Sequence, residues 1–203
     1  SSFYYLAMEY LGPSLDDIMN DMEDRKFSKF TLVYIALQTL ECIKQLHSFG
    51  IIHCDIKPSN FLLRTKDNSI CLTDFGLSTH YMINNRHINF GNSKCVGTLD
   101  FQSIASHKEL TLSRKDDLES WIYSLLYLRD KTLPWYHLET SEVVYKKMQS
   151  TKPLLNGWSP FDEIFNDIYN LRFKEEPHYD KYEQLLLKSI DDLKQEEKTL
   201  DWD

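Results

Sequence analysis

The chain has 203 residues, 42% of them hydrophobic and 13% aromatic, too apolar for a disordered polymer and long enough to bury one core. Its Lys and Arg number 23 against 31 Asp and Glu, and the net charge of −8 argues against a nucleic-acid wrapper, which needs a basic face. No apolar run approaches the roughly 18–20 residues of a membrane span, so neither a membrane nor a nucleic acid is expected as a partner.

The opening Ser1-Ser2-Phe3-Tyr4-Tyr5-Leu6 has no initiator Met and no basic start of a secretion signal. Cys42, Cys54, Cys71 and Cys95 form no C-x-x-C pair, and the seven His show no metal-ligand spacing. Neither a zinc site nor a disulfide framework is expected. Reduced thiols in the cytoplasm or nucleus are the plain reading.

In chain order, Phe3 to Glu9 reads as a short strand stopped by Leu11-Gly12-Pro13. Ser14 opens a short acidic helix. Ser28 caps a longer one, whose Val33, Leu37, Leu40, Ile43 and Leu46 keep the spacing of one buried face up to Gly50. Phe61–Arg64 and Ser69–Thr73 flank Lys66-Asp67-Asn68 as a β-hairpin. Ser113 to Asp116 reads as a capping box with Asp in the usual Glu place. The helix behind it, through Leu118, Trp121, Ile122, Leu125, Leu126 and Leu128, is expected to be buried nearly all round. Ser159-Pro160 reads as an N-cap and first-turn proline. Pro177 precedes a last amphipathic helix through Tyr182, Leu185, Leu186 and Ile190. Few short strands and mostly helices make an α-dominated α+β fold.

Two motifs straddle the hairpin: His53-Cys54-Asp55-Ile56-Lys57-Pro58-Ser59-Asn60 before it and Asp74-Phe75-Gly76 after it. They bring three oxygen donors (Asp55, Asn60, Asp74) and one cation (Lys57) to the ends of one small element. Phosphoryl transfer asks for such a set. Mg2+ takes hard carboxylate and amide oxygens, a carboxylate accepts the proton of the attacking hydroxyl, and an ammonium offsets phosphoryl charge.

H-x-D-I-K-P-x-N followed by D-F-G resembles the catalytic signature of eukaryotic protein kinases. Further segments resemble the casein kinase 1 group: Met8 to Leu15, Gly97-Thr98 with Ser103-Ile104, Ser113 to Ser120, Leu133-Pro134-Trp135, Leu171-Arg172-Phe173 and Leu200-Asp201-Trp202. Leu99-Asp100-Phe101 looks more like the vaccinia-related kinases, and Asp116 to Ser120 like casein kinase 1 or tau-tubulin kinases, so the subfamily stays open.

The resemblance implies a serine/threonine kinase that uses ATP and Mg2+ on protein hydroxyls, with a monomer expected. Asp55 would be the catalytic base, assisted by Lys57. Asn60 and Asp74 would hold Mg2+, and Thr98 would bond near Asp55 and Lys57 and favour Ser/Thr substrates. Met8 would be the gatekeeper, the Glu9–Leu11 backbone would meet adenine, Asp17 the ribose, and Leu62 would form the floor under the base. His53 and Phe75 would be packing links. Asp117 would hold the catalytic loop, Asp116 reads as a helix cap, and Trp121 and Trp135 as core.

Residues 1–203 would then be a hinge and C-terminal lobe. No Gly-rich phosphate loop, V-A-I-K lysine or partner Glu stands in the sequence, so weak activity of this chain by itself is expected, with a partner-binding pseudokinase as the rival reading. A kinase of small molecules shares the fold, but the S-I segment and the closing D-W pair resemble protein kinases. Cys54 stands where most kinases carry Arg. With Thr79 and Asp100 at other phosphate-reading places and only Lys94 nearby, little preference for primed acidic substrates is expected.

Overall fold

The computed structural model describes residues 9–22, 26–193 and 198–202. The expected strand at Phe3 to Glu9 lies almost wholly outside the described residues, and Glu9 to Pro13 run without regular structure.

Seven helices and six short strands are present among the described residues. Helix α1 (Leu15–Asp21) starts at a capping box: Asp17 Oδ2 accepts the N–H and hydroxyl of Ser14, and Ser14 Oγ accepts the Asp17 N–H. Helix α2 (Lys29–Ser48) starts at Ser28, whose hydroxyl oxygen accepts from the Thr31 N–H at 3.2 Å. Its buried stripe differs from the apolar periodicity. Val33, Leu40 and Ile43 are buried as expected, but Leu37 and Leu46 are only partly so, while Thr39 and His47 are inside. Both polar groups are satisfied there: Trp121 Nε1–H donates to Thr39 Oγ1 at 2.8 Å, and His47 lies between Tyr179 and Asp117. The chain's last described turn closes over the start of α2, where Asp201 accepts the Ser28 N–H and Trp202 packs edge-on against Phe27.

Strand β1 (Ile51–Ile52) pairs antiparallel with β4 (Thr79–His80). Strands β2 (Phe61–Arg64) and β3 (Ser69–Leu72) form the expected hairpin, with Phe61 opposite Leu72. Asn68 takes a left-handed conformation in its turn, where Asp67 accepts the Ser69 N–H. A smaller hairpin, β5 (Met82–Ile83) and β6 (Arg86–His87), follows. Helix α3 (Ile104–His107) is a single turn capped by Ser103.

Helix α4 (Arg114–Asp130) is the central rod, buried on nearly every side and packed against α2. Trp121 and Trp135 are both core residues. Helix α5 (Thr140–Leu155) has no counterpart in the sequence reading. Its buried stripe is Val143, Lys147, Thr151 and Leu155, so half of it is polar and the apolar period is weak. Helix α6 (Phe161–Asn170) begins one residue later than expected, with Pro160 rather than Ser159 in the cap position. Helix α7 (Tyr179–Asp191) packs on α2. One continuous core joins α1, α2, the β2–β3 hairpin and α4 to α7, which is a mainly helical α+β fold. No helix among the described residues is long and apolar enough to cross a membrane.

Candidate active site

The loop between β1 and β2 gets its shape from beneath. Asp117, on α4 and only 2% exposed, accepts the His53 N–H at 2.7 Å, the Cys54 N–H at 2.9 Å and a bond from His47 Nε2 at 2.9 Å. Those bonds hold Cys54 in the left-handed region at φ 68°, a conformation that side-chain-bearing residues rarely adopt. His53, fully buried, accepts the Asp55 N–H on Nδ1, donates from Nε2 to the Thr73 carbonyl, and meets the Phe75 ring edge-on at 5.4 Å. One imidazole thus joins the loop before the hairpin to the segment after it.

Asp55, 9% exposed, is gripped from two sides. Its Oδ1 accepts both the backbone N–H and the hydroxyl of Thr98 at 2.8 Å, and its Oδ2 lies 2.8 Å from Lys57 Nζ. Lys57 also donates to Thr98 Oγ1 at 2.8 Å. Asn60 Nδ2 donates to the Asp55 carbonyl at 2.9 Å. Burial pushes the Asp55 carboxyl up, but the hydrogen bonds and charge of Lys57, with those of Thr98, more than offset this and hold it below its ordinary value. The group is therefore an ionised carboxylate at neutral pH. Gly97 lets the Thr98 segment come this close. It has φ +95°, and a Cβ there would stand 2.6 Å from the Cys54 carbonyl oxygen.

Asp55, Lys57, Asn60 and Thr98 therefore form one hydrogen-bonded group. Asp74 stands apart from it, exposed, in a left-handed conformation (φ 61°), with its Oδ1 3.4 Å from the Gly76 N–H. Asn60 spends its amide N–H on Asp55, which leaves its Oδ1 as an acceptor. The Asn60 carbonyl meanwhile takes the N–H of Thr73, the neighbour of Asp74, at 2.9 Å. An amide oxygen and an open carboxylate on adjoining segments are hard donors of the kind Mg2+ prefers, so the residues present fit that ion.

The remaining expected site residues lie along the edge of the hairpin. Gly12 N–H donates to the Leu63 carbonyl and Leu63 N–H to the Pro13 carbonyl, which fastens Leu11 to Ser14 alongside Leu62. Leu11 and Leu62 are both half-buried. Glu9 is exposed and pairs through both carboxylate oxygens with Arg64. Asp17 is exposed, and one of its oxygens is taken by the α1 cap. Met8 lies outside the described residues.

The sequence reading missed two buried groups behind the site. His47 joins Tyr179 Oη at 2.6 Å to Asp117, and Lys147 reaches the backbone next to Thr98. Neither stands in a motif, and each follows only from the packing of distant helices.

Residues 1–196 match the protein kinase domain family. The chain belongs to that family, and its likeness within it is to the casein kinase 1 group. It is 34% identical over 193 residues to "Casein kinase 1-like protein HD16" of Oryza sativa subsp. japonica, covering 88% of this chain and 27% of that protein. It is 34% identical over 204 residues to "Casein kinase I homolog 2" of Saccharomyces cerevisiae, covering 93% of this chain and 37% of that protein. The chain thus spans about a third of the length of these relatives.

Proposed function

We propose that this chain is the hinge and C-terminal lobe of a serine/threonine protein kinase, and that the whole protein transfers the γ-phosphoryl group of ATP to protein hydroxyls. The observation that carries this reading is the Asp55 carboxylate, held ionised between Lys57 and Thr98. A substrate hydroxyl facing Asp55 would be aligned by it and lose its proton to it as the new P–O bond forms. The bond from the γ-phosphorus to the β-phosphate oxygen would break, with ADP leaving. Lys57, already beside the Asp55 carboxylate, would take up charge on the moving phosphoryl group. Mg2+, when bound by Asn60 and Asp74, would neutralise phosphate oxygens. Leu62, Leu11 and the Glu9–Leu11 backbone would line the adenine side, with Met8 as gatekeeper and Asp17 at the ribose.

Four free cysteines suit a reducing compartment, the cytoplasm or nucleus, and a monomer is sufficient for this chemistry. The substrate preference follows from charge. Burial pushes the Cys54 thiol well up, so it is a neutral group where a phosphate-reading cation would stand, and Asp100 is acidic. Unprimed Ser/Thr peptides are the expected substrates, and a strong gain from a phosphoserine at −3 would contradict that. The test of the reading itself is phosphorylation of Ser, Thr and Tyr peptides by the full-length protein with Mg-ATP. Transfer to Ser and Thr alone is expected. Partner binding without any transfer would make the chain a scaffold.

A further inference from the structure

Lys147, on α5, has no exposed surface, although an ammonium is among the costliest groups to bury. Its partners are carbonyls, an imidazole and ring faces instead of a carboxylate. Nζ donates to the Leu99 carbonyl at 3.1 Å, to the Gln102 carbonyl at 2.7 Å and to His107 Nε2 at 3.0 Å. It also lies 4.8 Å from the centre of the Tyr123 ring and 5.5 Å from that of Trp135. Three N–H donors meet three acceptors, so the ammonium is fully used.

All three acceptors belong to one short stretch that begins next to Thr98. The Thr98 carbonyl closes that turn by accepting the N–H groups of Phe101 and Gln102, and Trp135 Nε1–H donates to the Asp100 carbonyl from the same underside as Lys147. On the upper side Thr98 holds Asp55 and Lys57. We propose that Lys147 is a positioning residue, whose ammonium clasps the 98–102 turn from below so that Thr98 stays seated on Asp55 and the protein-substrate side of the site stays formed. The effect on turnover rests on the kinase reading above, whereas the clasp itself does not.

The clasp is strongest while Lys147 is charged. A neutral amine keeps two N–H groups for the two carbonyls and can accept from the other tautomer of His107. Its bonds then lose their charge assistance, and the Tyr123 and Trp135 rings lose their cation. Burial draws its pKa down to about 7, against the opposing pull of Glu119 on α4, Asp100 in the turn and Cys95 before it. Tyr123, the titratable ring facing it from α4, is held neutral by burial, its pKa pushed well up. His107 is pushed down to about 4 by burial and by the Lys147 charge, so the imidazole from α3 stays neutral and keeps Nε2 as an acceptor. The clasp therefore loosens as pH rises through about 7 and beyond.

The experiment uses the full-length protein with Lys147→Met, which fills the volume without charge, and Lys147→Arg, which keeps the charge at every pH. Two quantities are read between about pH 6 and pH 9: steady-state phosphorylation of a Ser peptide, and hydrogen exchange of the 98–102 amides against those of α4. Lys147→Met is expected to lower kcat about tenfold with the KM for ATP unchanged, and to speed 98–102 exchange about tenfold while α4 stays protected. Lys147→Arg is expected to restore kcat and abolish the alkaline fall of the wild type. Wild-type exchange in Lys147→Met, or an alkaline fall that persists in Lys147→Arg, overturns the proposal. If the wild type shows no Asp55-dependent transfer, the kinase reading fails and exchange alone decides. If Lys147→Met does not fold, Asp116→Asn, whose α4 cap does not ionise, decides: selective loss of 98–102 protection with rising pH, beyond the intrinsic rate, supports the clasp, and parallel loss in α4 overturns it.

Discussion

Thr98 gives both its backbone N–H and its hydroxyl to a single oxygen of Asp55, each at 2.8 Å, and receives Lys57 Nζ on the same hydroxyl oxygen. Residues 43 positions apart are thereby locked so that the carboxylate, the ammonium and the hydroxyl each satisfy the others. The carboxylate's other oxygen lies 2.8 Å from Lys57 Nζ.

The hydroxyl of Thr98 helps keep Asp55 ionised, so Thr98→Val should let the Asp55 pKa rise. The low-pH limb of turnover in the full-length protein is then expected to move to higher pH, with kcat at neutral pH lowered roughly tenfold. The sign follows from linkage: Asp55 has a folded pKa below its ordinary value, so the stability it contributes is present above about pH 4 and lost as pH falls through the folded value. A pH–rate profile of Thr98→Val that overlays the wild type would remove Thr98 from this role.

Asp117 serves three donors in a place with almost no water. Asp117→Ala strands the His53 and Cys54 N–H groups and His47 together, and leaves Cys54 without the bond that holds its positive φ. A loss of about 3–5 kcal/mol in urea denaturation is expected. A loss below about 1 kcal/mol would mean that the loop is shaped by something else.

Asp116 gives the chain a second pH response. Burial, then the neighbouring Glu119 charge, pushes its pKa up to about 7, while it accepts the Ser113 N–H at 2.8 Å. A raised carboxyl pKa contributes stability that is fully present below about pH 4 and lost as pH rises through 7. Asp116→Asn keeps an acceptor for Ser113 and cannot ionise. It should therefore be more stable than the wild type at pH 8, by on the order of 2–4 kcal/mol, and lack this group's slope between about pH 4 and 7. Matching slopes in equilibrium unfolding would contradict this.

What could be read from the sequence was local. The β2–β3 hairpin lies between two motifs, its turn carries Asp67 and Asn68, and its pairing places Asp55 before it and Asp74 after it. The cap and the apolar run of α4 were likewise visible, because a helix buried on every side has no polar face to confuse the period. The face of α2 was partly misread because Thr39 and His47 are buried through hydrogen bonds to Trp121, Tyr179 and Asp117, which hydropathy does not register. Helix α5 was missed for the same reason, since Lys147 and Thr151 occupy its inner stripe. Within the site, Asp55, Lys57, Asn60 and Thr98 meet directly. Asp74 stands outside that group and is tied to it through the backbone, where its neighbour Thr73 donates to the Asn60 carbonyl.

The central claim is that Asp55 is the carboxylate of a phosphoryl-transfer site. Its most direct test is single-turnover transfer from Mg-ATP to a Ser peptide by the full-length protein and its Asp55→Asn variant, with melting curves recorded alongside. The expected result is a loss of at least about a thousandfold in rate with the fold intact. A variant that keeps its fold and turns over within about tenfold of the wild type would contradict the account.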